Sequence, residues 1–148
     1  MRFLVTYIGS SAFGIRTDEV AQVLPMMAVT PIPDAPAYIM GQLNIRGNFI
    51  ILADIRERIS RKTAPFSYDT RVIVLKKDSF RFGIICDFLE KVIEIDTPDI
   101  EPPPKFIAGM DRSLIRGVYR DENKLIVLAD LAGLLKEEEI EDIKKLIP

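Results

Sequence analysis

Short apolar runs broken by turn residues dominate the chain. Phe3 to Ile8 predicts a strand, Gly9-Ser10-Ser11 a turn, and Ala12 to Arg16 a second strand. Asp18 to Leu24 places Val20, Val23 and Leu24 at helical spacing, which predicts a short helical turn. The prolines of Thr30-Pro31-Ile32-Pro33-Asp34-Ala35-Pro36 remove amide donors and restrict the residues before them, so this segment is expected to be a stiff extended connector. Tyr38 to Asn44 and Phe49 to Leu52 predict two strands around the tight loop Ile45-Arg46-Gly47-Asn48. Asp54 is placed to cap a helix beginning at Ile55, with Glu57 at the reciprocal capping-box position. Arg61 to Tyr68 is polar and contains proline, as a link between halves would.

The second half follows the same plan. Thr70 to Lys76 and Arg81 to Cys86 predict strands around an Asp78-Ser79 turn, and Val92 to Ile95 continues in β character. Glu101-Pro102-Pro103-Pro104 stops that run. Leu114 to Arg120, a turn at Asp121-Glu122-Asn123, and Leu125 to Leu128 form a hairpin. Asp130 is expected to cap a last helix carrying Leu131, Leu134, Leu135, Ile140, Ile143 and Leu146.

The two halves also match residue by residue. Tyr38-Ile39-Met40-Gly41 falls on Leu114-Ile115-Arg116-Gly117, and the same ungapped register lays Ile50 to Ile55 on Ile126 to Leu131. Phe13-Gly14-Ile15 matches Phe82-Gly83-Ile84, with a longer connector following in the second copy. Ordered matches of this kind indicate an internal duplication. A mainly β fold of two similar small barrels is expected, lobe one at roughly 10–65 and lobe two at roughly 70–130, within one 1–148 domain with terminal segments packing across. Each lobe is near the lower size limit for an independent core, so a shared interface should supply much of the stability.

Composition narrows the chemistry. The 148 residues are 48% hydrophobic and 28% charged, an ordinary globular balance, with a formal net charge of −2. Histidine is absent, which removes His-based acid–base catalysis, Ser-His-Asp triads and His metal ligation. The one cysteine, Cys86, excludes an intramolecular disulfide and sits in an apolar run without a basic neighbour, as a buried structural thiol would. No phosphate-binding glycine loop is present, and the apolar runs are too short to span a bilayer. No cofactor is expected. Met1-Arg2 leads directly into a strand with no apolar leader, so a soluble cytoplasmic location is expected.

The motifs resemble the CheW family of chemotaxis coupling proteins. The stretch Ile32-Pro33-Asp34-Ala35-Pro36 through Gly41 to Asn44-Ile45-Arg46-Gly47, then Ile50 to Ile55, carries the resemblance most strongly. Tyr68 to Val74, Phe82 to Asp87, Pro102-Pro103-Pro104 and Leu125 to Leu131 extend it over nearly the whole chain. The resemblance implies two five-stranded SH3-like barrels and a non-catalytic adaptor. Such an adaptor bridges the cytoplasmic tip of a methyl-accepting chemoreceptor and the regulatory domain of the chemotaxis histidine kinase. It further implies recruitment to membrane receptor arrays without membrane insertion, and ring assembly with the kinase or with itself. The output, flagellar, type IV pilus or other, is left open. Three positions depart from the family pattern: Gln22 where glutamate is frequent, Pro31 where arginine is frequent, and Ile45 for leucine.

The resemblance also implies site residues. For the receptor these are Val20, Gln22, Val23, Val29 and Arg46, along a groove between lobes suited to a helical tip. For the kinase they are Phe88, Leu89 and Val92 in the second lobe. Read from the residues alone, the valines are equally core positions and Arg46 an ordinary solvated arginine. Two other functions compete. One is a barrel recognising nucleic acid or a proline-rich peptide; nucleic acid requires a basic groove with interleaved aromatics, against which stand a pI near 5.3, the absence of tryptophan and scattered Arg and Lys. A carboxylate hydrolase would use Asp54 and Asp130, whose equivalent positions structural capping also explains. The charged run Lys136 to Glu139 reads as a solvated helix face rather than a metal site.

Overall fold

The structure, a computed structural model, describes residues 1–59, 64–105 and 110–146. Four antiparallel hairpins account for most of it: β1 (Arg2–Ile8) with β2 (Ser11–Arg16), β4 (Ile39–Ile45) with β5 (Asn48–Ala53), β6 (Arg71–Lys77) with β7 (Phe80–Cys86), and β9 (Ile115–Asp121) with β10 (Lys124–Ala129). Two single strands, β3 (Val20–Pro25) and β8 (Phe88–Glu94), complete two five-stranded sheets. The strand orders are β8-β1-β2-β10-β9 and β3-β6-β7-β5-β4, here barrel one and barrel two.

In each sheet the two hairpins meet through one parallel pairing, β2 with β10 and β5 with β7. The chain beyond β3 returns at Thr30 to bridge Gln42 of β4, and the chain beyond β8 returns at Glu101 to bridge Val118 of β9. Both bridges carry two backbone hydrogen bonds of 2.9 Å, which close the sheets into barrels. Gly41 and Gly117 sit beside these closures at φ of +148° and +158°. A Cβ on Gly117 would lie 2.5 Å from Ile100 Cγ2 and 2.8 Å from the Glu101 carbonyl, so the closure requires glycine there.

The barrels are not consecutive halves of the chain, and the expected division into 10–65 and 70–130 is corrected. Barrel two is built from β3 to β7, and barrel one from β1, β2 and β8 to β10. The cause lies at two crossings. After β2 the chain leaves barrel one and β3 pairs with β6; after β7 it returns and β8 pairs with β1. Each repeat therefore lends its first hairpin to the last three strands of the other, and neither repeat closes a barrel alone.

Two further expectations change. Asp18 to Leu24 is not helical: a single 3-10 turn, Thr17–Glu19, precedes β3. A register shift between Val20 and Gln22 inserts one extra residue, and that bulge disguises a strand as helical spacing. The last helix is divided as well. Asp130 caps a 3-10 turn, Leu131–Leu134, by accepting from the Gly133 amide, and α2 (Glu137–Leu146) starts afresh beyond it. The earlier helix, α1 (Arg56–Ile59), begins one residue later than expected, with Asp54 Oδ1 accepting from the Arg56 amide at 3.1 Å.

Burial follows from the two-barrel arrangement. Phe3, Val5, Ala12, Ile126 and Leu128 fill barrel one; Val72, Val74, Ile50 and Leu52, the counterparts of Phe3, Val5, Ile126 and Leu128, fill barrel two together with Ile85. The alternate residues of the same strands, among them Leu4, Phe13, Ile51, Ile73, Leu75, Phe82, Ile84 and Val127, form the largest cluster, between the barrels. Strands buried on both faces read as continuous apolar runs, which is how β5, β6, β7 and β10 appear in the sequence. α2 lays Ile140 and Ile143 onto this shared cluster. Cys86 lies inside it, and burial pushes its thiol above the ordinary value, as a structural role requires.

Candidate partner-docking edges

β3 and β8 occupy equivalent edge places in the two barrels, each hydrogen-bonded along one side only. All residues of both strands keep solvent access, in contrast to the buried strands beside them. A strand edge with free backbone groups and accessible apolar side chains is a natural docking element.

On β3, Val20 and Val23 are half-buried with one face against the inter-barrel cluster, and Gln22 is exposed between them. Val29, half-buried, packs instead with Met26, Met27 and Met40 against the core of barrel two. Arg46 is exposed at the tip of the β4–β5 hairpin with φ +52°, followed by Gly47 at +84°. Two successive positive φ values make a tight turn matched to the strand twist, and Asn44 Oδ1 accepts from the Gly47 amide at 2.9 Å to hold it. The structure thus gathers Val20, Gln22 and Val23 on one strand, whereas Val29 and Arg46 lie on separate segments.

On β8, Phe88 is 42% exposed and Val92 46%, while Leu89 turns inward against the inter-barrel cluster. A bulge at the Val5/Thr6 pairing rotates the strand between them. Phe88 leans on Tyr7 with ring centroids 6.0 Å apart.

The open seams beside the two edges differ. In barrel one Lys91 Nζ reaches Asp121 at 2.9 Å and Lys124 pairs with Glu90, joining β8 to the β9–β10 tip. The corresponding place in barrel two is a cleft of about 420 Å³ lined by Gln22, Ile45, Asn48, Phe49, Phe80 and Arg81, crossed by no ion pair among the described residues, against about 300 Å³ for the cleft that Glu90, Lys91, Asp121 and Lys124 line in barrel one. Phe49 is 45% exposed at its rim.

A buried charged group joins the two barrels and is not apparent from the sequence. Arg56, 4% exposed, donates from Nε and Nη2 to Asp54 at 3.0 Å and from Nη1 to Asp87 Oδ1 and the Ala64 carbonyl at 2.8 Å. Asp87 Oδ2 in turn accepts from the Gly9 amide at 2.7 Å. Burial opposes the Arg56 charge, but the hydrogen bonds it donates to both carboxylates outweigh burial and leave its pKa above the ordinary arginine value. The available signal was an arginine directly following Ile50 to Ile55, an uncharged run apart from Asp54. Asp54 is engaged by Arg56 and Asp130 by Gly133, so both carboxylates of the competing hydrolase reading have structural partners.

No helix among the described residues is long and apolar enough to cross a membrane. The profile of the CheW-like domain matches residues 2–139. The chain is 28% identical over 148 residues to a chemotaxis protein CheW of Treponema pallidum, covering 97% of this chain and 87% of that one. It is 29% identical over 134 residues to a chemotaxis protein CheW of Rhizobium meliloti, covering 90% and 86%. Among solved structures, the scaffolding protein TtCheW of Thermoanaerobacter tengcongensis superposes with a TM-score of 0.81 at 28% identity, covering 93% of this chain and 89% of that one.

Proposed function

The chain belongs to the family of CheW-like domains, and on that premise we propose that it is a non-catalytic adaptor joining a chemoreceptor tip to the regulatory domain of a chemotaxis histidine kinase. The observation that carries this reading is the pair of accessible edges, β3 on one barrel and β8 on the other. One edge per barrel lets two partners be held at once, at an angle set by the buried cluster between the barrels. β3, with Val20, Gln22 and Val23, takes the receptor tip, assisted by Val29 and Arg46. β8 takes the kinase domain through Phe88 and Val92, with Leu89 supporting the strand from beneath. Recruitment from the cytoplasm to receptor arrays follows from the first contact, and ring assembly with the kinase or with further copies follows from repeating the second.

Calorimetric titration against the kinase regulatory domain of the same genome tests the reading. One-to-one binding is expected, weakened by about tenfold or more in Val92→Asp and unchanged in Val20→Asp. Failure of every such domain in that genome to bind would overturn it.

A further inference from the structure

The chain crosses between barrels twice, and the crossings are fastened by different physics. The second, at Asp87, is fixed from inside. Arg56 and Asp87 are joined at 2.8 Å with side chains 5% and 14% exposed, and Asp87 is also held by the Gly9 amide and by its own amide on the Tyr7 carbonyl at 2.9 Å. The first crossing, Thr17–Glu19, is fastened at the surface. Arg116 of β9 grips Glu19 through two bonds, Nη1 to Oε1 at 2.5 Å and Nη2 to Oε2 at 2.6 Å, with side chains 35% and 26% exposed. Its neighbour Asp18 turns away to Arg16 at 2.8 Å. The repeat offers no second arginine clasp here, because the position equivalent to Arg56 is Ala132.

A buried pair is little affected by salt, whereas an exposed pair weakens as the screening length shortens, from about 8 Å at physiological ionic strength to about 3 Å at 1 M. Glu19 directly precedes Val20, so the Glu19–Arg116 pair anchors the start of β3 to barrel one. Beyond it, β3 is held by its pairing with β6 and by half-buried side chains.

We propose that the Glu19–Arg116 pair is an adjustable staple that sets how firmly β3 is presented, while the Arg56–Asp87 crossing is the fixed joint of the molecule. Loosening the staple leaves β3 with more freedom to lose on docking, so a partner at that edge binds more weakly. The link to docking rests on the reading of β3 as the receptor edge; the mechanical part does not.

Amide hydrogen exchange of the full chain, at low and at high sodium chloride, separates the two parts. Added salt, Glu19→Gln or Arg116→Gln is expected to deprotect the β3 amides about threefold, the scale of one exposed bidentate pair, and to leave Gly9 and Asp87 unchanged. The exchanged pair Glu19→Arg with Arg116→Glu restores protection. Equal changes at both crossings, or none at β3, would overturn the staple. Titration with a receptor-tip fragment gives the second readout: binding that is salt-dependent in the wild type and about threefold weaker, without that dependence, in Glu19→Gln. Deprotected β3 with unaltered receptor binding keeps the staple and removes the receptor from this edge.

Discussion

Barrel one and barrel two share a central interior contact and differ at the seam. Inside, Gly14 faces Leu128 and Ile126 as Gly83 faces Leu52 and Ile50, the same contact made twice by equivalent residues. At the seam both barrels leave a cleft, but barrel one ties β8 to the neighbouring hairpin across it with two ion pairs, while in barrel two exposed Phe49 stands at its rim. A duplicated fold is held to its interior by packing, which tolerates little change in volume. Its edges carry no such constraint, so two copies diverge there first, and different edges suit different partners.

The largest expected effect lies at the feature the repeats do not share. Arg56→Met leaves Asp54 and Asp87 partly buried without their cation and should cost about 3–5 kcal/mol in chemical denaturation. A cost near that of a surface substitution would erase the difference between the crossings. Next come the shared interior contacts. A Cβ at Gly14 would meet Leu128 Cδ2 at 2.7 Å, and one at Gly83 would meet Val72 Cγ1 at 2.8 Å. Gly14→Ala and Gly83→Ala should therefore each cost about 1–3 kcal/mol, by similar amounts. A large disparity in the two melting shifts would show that the interiors are less alike than their geometry.

Smaller still is the tie of α2. Arg58 bonds Glu139 with both oxygens, at 2.8 and 2.5 Å, and also donates to the Leu134 carbonyl at 2.6 Å. The Arg58 hydrogen bond holds the Glu139 carboxyl below its ordinary range, against the opposing effect of burial. Because the folded pKa is depressed, the stabilisation is complete above the unfolded value near 4.3 and is lost as pH falls through the folded value. Glu139→Gln should lower stability by about 1 kcal/mol at neutral pH, with the gap to wild type closing in acid. A gap independent of pH would assign the loss to packing. Least of all, Lys91→Gln, at the exposed seam pair, should leave the melting temperature unchanged within error, marking that pair as a matter of edge chemistry rather than folding.

Much of the fold was legible because its strands are buried on both faces. Ile50 to Ala53 and Ile126 to Ala129 read as strands, and their equivalence revealed the duplication. The exchange of hairpins between repeats was not legible, since β3 pairs with β6 and β8 with β1 across long stretches of chain, and no local pattern encodes that choice. The β3 bulge concealed an edge strand for a similar reason, placing Val20 and Val23 on one face at helical spacing. Which of Phe88, Leu89 and Val92 faces outward also depended on a bulge, this time at the Val5/Thr6 pairing. Arg56 was hidden because its partner Asp87 lies 31 residues away.

The central claim is that two edges hold two partners at once. Analytical ultracentrifugation of the chain with a receptor-tip fragment and the kinase regulatory domain tests it most directly. A ternary complex is predicted, losing the receptor fragment alone in Val20→Asp and the kinase domain alone in Val92→Asp. Partners that displace one another, or one substitution that releases both, would contradict the account.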